Sequence, residues 1–171
     1  MRDVYIRAEK PDDVSAIYQV NSEAFGRENE ASLVNQLRGA ASTFSFVAIQ
    51  SDQIVGHIFF SPVTVRGGSS NLSILGLAPI AVLPNYQRQG IGSLLIQQSL
   101  KACSESGQDA IVVLGDPKYY SRFGFISAST KGLRCEYDVP DEAFMVLELN
   151  SGALQDCTGT VQYRSEFKVC E

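Results

Sequence analysis

Along the chain, short apolar runs alternate with segments of helical spacing, and their order sets the expected fold. Residues 4–8 read as a first strand. Pro11, Asp12 and Asp13 make a helix start, because proline fits the first helical position and acids suit the positive end of the dipole. Val14, Ile17, Tyr18, Asn21, Ala24 and Phe25 recur at helical spacing, and Gly26 can end the helix. A second helix is predicted from Asn29, as its cap, through Leu33, Val34 and Leu37 to Gly39.

Strands come next. Residues 44–50 and 53–65 form a predicted hairpin across Ser51 and Asp52, and residues 67–71 form the following turn. Residues 72–83 are apolar enough for the centre of a sheet. Pro79 within them cannot donate a ladder hydrogen bond, which argues for a bulge or a place where the neighbouring strand has parted. Residues 90–106 are the clearest helix: Ser93, Gln97, Lys101 and Ser104 form one polar stripe on an otherwise apolar surface, as in a helix packed on a sheet. Residues 110–114 suit a buried parallel strand, residues 117–123 a short helix, and residues 144–149 and 160–167 later strands. The succession β-α-α-β-β-β-α-β-α-β-β gives an α/β (α+β mixed) fold, a mixed sheet with helices on both faces.

Composition narrows the function. A chain of 171 residues suits one domain, taken as 1–171, and buries about 70% of its unfolded surface without staples. Its net charge of −5 disfavours binding to nucleic acid or anionic lipid and mildly favours a cationic substrate. Cys103, Cys135, Cys157 and Cys170 include no CxxC pair, and His57 is the single histidine, so no standard zinc set can be written. Separate reduced thiols in a cytoplasmic protein are expected, with no metal. The start of the chain lacks a secretory core, and no apolar run of about 18 residues predicts a membrane span.

The chemistry concentrates in Leu83-Pro84-Asn85-Tyr86-Gln87-Arg88-Gln89-Gly90-Ile91-Gly92. Here glycines remove side chains just where a helix begins. Its unpaired amides and positive dipole end make an anion site, which Arg88 and Gln87 can supplement. A dinucleotide fingerprint needs a third glycine where Leu95 stands. A nucleotidase phosphate loop needs a lysine, and none occurs before Lys101. A purely structural use, with Gly90 and Gly92 allowing close helix-to-strand packing, is the competing reading.

Gln87-Arg88-Gln89-Gly90-Ile91-Gly92 resembles the Gln/Arg-x-x-Gly-x-Gly/Ala signature of the GCN5-related N-acetyltransferases, in its usual place between a strand and the main helix. Tyr119-Tyr120-Ser121-Arg122-Phe123-Gly124-Phe125 is similar to that family's Tyr-x-x-x-Gly-Phe segment. The stretch from Gly115 to Phe125, with the tail around Val139 to Val146, resembles the YhbS-like bacterial subgroup, so the likeness spans nearly the whole chain. It implies a mostly antiparallel sheet with splayed central strands, and acetyl-CoA as co-substrate. The diphosphate would lie on the backbone of Gln87, Arg88, Gln89, Gly90, Ile91, Gly92 and Ser93. The pantetheine arm would pair along Ile80, Ala81 and Val82. An amide near Val82 would polarise the thioester carbonyl, a role worth about 3 kcal/mol where such donors have been removed.

The resemblance also places Tyr120 as general acid, its hydroxyl donating to the departing sulfur; the competing reading is an aromatic filling space under the cofactor. Tyr119 and Phe123 are read as packing. Glu23 and Glu30 on the first helices, and Asp116, are the candidate bases, with a water chain as the alternative; His57 is read as structural. The cysteines have no histidine to activate them. The expected function is acetyl transfer to a primary amine, small-molecule or protein, by direct attack in a ternary complex within a monomer or homodimer. The alternatives are a non-catalytic CoA-binding sensor and a longer-chain acyl donor.

Overall fold

The computed structural model describes residues 3–68 and 71–170, so Ser69 and Ser70 of the predicted turn lie outside the described residues, as does the side chain of Cys170. In chain order the elements are β1 Val4–Ala8, α1 Val14–Phe25, α2 Asn29–Leu37, β2 Phe44–Gln50, β3 Gln53–Pro62, β4 Thr64–Arg66 and β5 Ile74–Val82. They continue with α3 Ile91–Glu105, β6 Ala110–Leu114, α4 Pro117–Tyr120, β7 Ile126–Ser127, β8 Leu133–Cys135, β9 Phe144–Glu148 and β10 Gly159–Gln162. By its contacts the chain divides into two compact units. Unit 1 comprises Met1–Ser61, Ala78–Ser99 and Ser165–Glu171, and unit 2 comprises Pro62–Leu77 and Leu100–Arg164.

In unit 1 the strand order is β1-β2-β3 followed by the C-terminal half of β5, with β1/β2 and β2/β3 antiparallel. A 3-10 turn at Pro11–Asp13 leads into α1, and Gly26 ends that helix in the left-handed region with its N–H on Ser22 O. Asp13 fixes the entry: it accepts from Lys10 N at 2.7 Å and from both terminal nitrogens of Arg7. Ile17 and Val20 of α1, Leu33, Val34 and Leu37 of α2, and Val47, Val55 and Ile58 of the sheet are buried and form the apolar interior. Asn29 is the first residue of α2 rather than its cap, which is Glu28.

In unit 2 the N-terminal half of β5 is followed by β6, β9 and β7, and a second sheet has the order β4-β10-β8. β5 and β6 are parallel, whereas β6/β9 and β7/β9 are antiparallel. The expected mixed, mostly antiparallel sheet is therefore present. The β5/β6 ladder runs only from Ile74↔Ala110 to Gly76↔Val112, although both strands continue. Pro79, which has no N–H to donate, stands three residues past Gly76, the last β5 residue of that ladder.

Two predicted strands are shorter than their apolar patterns. Residues 53–65 do not form one strand: β3 stops at Pro62, which has no N–H to donate, and Val63 N–H turns to Ile74 O. Residues 64–66 then join the second sheet as β4. Residues 160–167 break after Gln162, because Tyr163 N–H is taken by the Glu136 carboxylate and Ser165–Cys170 coils into 3-10 turns.

Candidate active site

The end of β5 and the turn after it lie in unit 1. Leu83 N–H donates to Val55 O on β3 at 2.9 Å. Because backbone groups alternate along a strand, the N–H and C=O of Val82 point the other way, as do those of Ile80. Gln87 Nε2 donates to Val82 O at 2.9 Å, on that outward side. A 3-10 turn at Pro84–Tyr86 follows, closed by Tyr86 N–H on Leu83 O at 2.8 Å.

Arg88 and Gly90 then both adopt positive φ, 63° and 87°. Such a reversal aims successive amides to one side. Gln87, Arg88, Gln89 and Gly90 are exposed, Gly92 and Ser93 half-buried, and Ile91 is buried as the anchor of α3. The α3 ladder opens with Leu94 N–H on Gly90 O at 3.0 Å, so the amides of Ile91 and Gly92 precede it. Nothing lies within 4 Å of the position a Cβ would take on Gly90. The predicted cofactor residues Ile80, Ala81, Val82 and Gln87 through Ser93 thus fall together on one short stretch of unit 1.

Tyr120 belongs to unit 2. Asp116 caps α4 by accepting from Lys118 N at 2.9 Å, Pro117 takes the first helical position, and Gly124 closes the following 3-10 turn at φ 96°. The Tyr120 ring meets Tyr119 and Phe125 edge-on at centroid distances of 5.2 and 5.6 Å and lies over Gly115. Its hydroxyl has no hydrogen-bond partner among the described residues. Burial, reinforced by the neighbouring Tyr119 phenol, pushes its pKa up to about 12, so it stays protonated at neutral pH. Tyr119 also meets Phe123 edge-on at 5.3 Å, and the Arg122 guanidinium covers both rings, in keeping with packing roles.

The candidate bases differ. Glu23 is exposed on α1. Glu30 is held in an ion pair by Arg27 one turn earlier, and the Asp116 carboxylate is committed to its cap. His57 is fully buried, with Nδ1 facing Asn21 Nδ2 and Nε2 facing Ser45 Oγ. Burial, with a smaller contribution from the Arg38 charge, pulls its pKa down to about 3, so it is neutral and structural. Among the described residues no group of three or more His, Cys, Asp or Glu could hold a metal ion, and Cys103, Cys135 and Cys157 are free thiols.

Two participants escaped the sequence reading. Gly115 makes room for the Tyr120 ring, and a glycine between an apolar strand and an aromatic run was the available signal. The engagement of Gln87 with Val82 O had no local signal.

The model of the acetyltransferase (GNAT) domain family matches residues 5–128, and the chain belongs to that family. It is similar to the uncharacterised N-acetyltransferase YhbS of Escherichia coli K12, with 39% identity over 164 residues, 95% of this chain and 97% of that one. Among solved structures, YhbS from Escherichia coli in complex with CoA superimposes with a TM-score of 0.91 at 37% identity, covering 98% of this chain and 93% of that one. A GNAT family acetyltransferase from Brucella melitensis in complex with acetyl-CoA gives a TM-score of 0.79 at 34% identity, covering 98% and 99%.

Proposed function

We propose that this chain, as a single domain over residues 1–171, is a cytoplasmic acetyl-CoA-dependent N-acetyltransferase acting on a primary amine. The observation that carries the reading is the turn from Gln87 to Ser93. It is exposed from Gln87 to Gly90, is reversed at Arg88 and Gly90, and enters a helix whose first amides are not consumed by its own ladder. Such a turn fits a diphosphate, and CoA and acetyl-CoA accompany the two similar structures.

With the diphosphate there, the pantetheine arm runs back along the outward edge of β5, from Val82 towards Ile80. Both residues offer an outward N–H. Val82 is nearer the phosphate end, so it suits the arm, and Ile80, nearer the thioester, suits the carbonyl oxygen. The polarising role that the resemblance implied near Val82 thus falls to the Ile80 amide, and the Val82 amide serves the arm.

A neutral amine attacks the thioester carbon, the carbonyl oxygen gains charge against the strand amide, and the C–S bond breaks. The products are an N-acetyl amide and free CoA thiol. A phenol with a pKa of about 12 cannot simply hand its proton to a thiolate whose own pKa is about 8.5. Tyr120 therefore keeps its proton and donates a hydrogen bond as sulfur departs, the thiolate takes a proton from water, and the ammonium formed on the attacking nitrogen releases one. That proton leaves through Glu23 or water.

The test is thermal. Saturating acetyl-CoA at one hundred times its Kd stabilises the native state by about 2.7 kcal/mol, a rise of roughly 5–10 °C for a domain of this size. An unchanged melting temperature would sink the proposal. An amine panel assayed by thiol release then identifies the acceptor.

A further inference from the structure

The Gln87 side chain does something the anion-site reading does not require. It reaches back five residues and donates to Val82 O at 2.9 Å, while its backbone N–H closes the 3-10 turn on Pro84 O at 3.4 Å. Val82 O and Leu83 N–H belong to one peptide unit. That peptide is held on one side by Gln87 and on the other by Val55 O, at 2.9 Å each. The bonds run in series, so each peptide dipole reinforces the next. The amide also sits on the outward edge of β5, beside the Val82 N–H.

We propose that Gln87 is a positioning residue that ties the phosphate-binding turn to the end of β5, and not itself a phosphate ligand. The inference rests on the acetyl-CoA reading above. If the diphosphate is seated on the turn and the arm on Val82 and Ile80, their separation is set by the chain between them. That chain is a single 3-10 turn, tied to the strand end by the Gln87 side chain and braced internally by Gln89 Nε2 on Asn85 O at 3.3 Å. Without the Gln87 tie, the turn still offers its amides to the diphosphate. The strand end is then free to twist, and the thioester carbonyl loses its aim at the N–H that polarises it. Errors near 1 Å in such placement can cost on the order of a hundredfold in rate.

A phosphate ligand and a brace predict different losses. Gln87→Met keeps length and neutrality and removes the donor; Gln87→Ala is the second variant should the first melt early. Two quantities are read on each: the calorimetric Kd for CoA, and the carbonyl stretching frequency of bound [1-13C]acetyl-CoA. In the wild type, binding lowers that frequency as the carbonyl is polarised. The expected result is a CoA Kd within about threefold of wild type, with at least half of the frequency shift gone. Gln87→Arg, which restores a donor, recovers the shift.

A tenfold or greater loss of CoA affinity, or a wild-type frequency shift retained in both variants, overturns the positioning role. Absence of any acetyl-CoA binding to the wild type fails the functional reading itself, and is distinguished because it is seen before any variant is made.

Discussion

The ring of Tyr120 lies directly against the backbone of Gly115. A Cβ built on that glycine would stand 2.7 Å from Tyr120 Cδ2 and closer still to Cε2. The glycine cannot retreat freely, because its N–H donates to Ala143 O at 2.9 Å. Gly115→Ala must therefore move the ring, an overpacking that costs about 1–3 kcal/mol. The melting temperature is expected to fall. Transfer to any accepted amine should fall further than acetyl-CoA affinity, because the hydroxyl moves with the ring. Equal turnover in Gly115→Ala and wild type would show that the ring position does not matter to the reaction.

Tyr120→Phe isolates the hydroxyl without disturbing that packing. Turnover is expected to drop by about a hundredfold, the lower end for loss of a hydrogen-bond donor to developing charge, with acetyl-CoA affinity nearly constant. Burial raises the phenol to about 12, so the acid form persists through any ordinary assay pH. The sign is that of an acid held neutral by the fold. The associated stability is intact below the unfolded value near 10 and is lost as pH climbs from 10 towards 12. Ultraviolet titration of the wild type against Tyr120→Phe should reveal one phenol ionising near 12. A fully active Tyr120→Phe enzyme would remove the donor role.

Much of this could be read from the chain, and the parts that could not share a cause. The bounds of β1, β2 and β6 follow from local apolar runs with turn residues at their ends. The glycine turn was legible because positive φ at Gly90 is a local demand met by a residue type. The truncation of the strand predicted over residues 160–167 was not. It depends on Glu136, far back in the chain, capturing Tyr163 N–H. The same holds for Gln87, whose amide could equally have turned to solvent or to a phosphate. Nothing in its neighbours says that Val82 O is the partner. Contacts through space between residues of unremarkable type leave no periodicity to read.

Gly90 and Gly115 make opposite demands, which a pair of alanine variants separates. At Gly115 the constraint is space. At Gly90 nothing lies near the added methyl, and the constraint is the φ of 87°. Gly90→Ala should cost about 1–2 kcal/mol in denaturant unfolding through backbone strain alone. It should also weaken CoA by rotating the amides of the turn. A Gly90→Ala protein as stable as wild type would mean that the left-handed conformation is not held in solution.

A chain of polar groups in unit 1 runs from the buried Asn21 and His57 to the half-buried Ser45, Glu9 and Arg38. Asn21 Nδ2 donates to Ile17 O at 3.0 Å and lies 3.1 Å from His57 Nδ1. An amide donor there makes Nδ1 the acceptor and puts the ring proton on Nε2, assigned from this network. That proton faces Ser45 Oγ at 2.9 Å; Ser45 in turn donates to Glu9 Oε1 at 2.6 Å, and Arg38 Nε donates to Glu9 Oε2 at 2.6 Å. The bond from Asn21 requires a neutral imidazole, and burial holds its pKa near 3. Because the folded value lies below the unfolded value of about 6.5, the fold binds fewer protons than the unfolded chain. The stability is complete above pH 6.5 and drains away as pH falls towards 3. Between pH 7 and 4.5 the loss from this group is about 2–3 kcal/mol. His57→Gln can still accept from Asn21 and donate to Ser45, but it does not titrate. Urea unfolding of both proteins at the two pH values should therefore show the wild type losing that much more than the variant. Parallel losses would mean that His57 already carries a proton in the native state, or that the ring is reached by water.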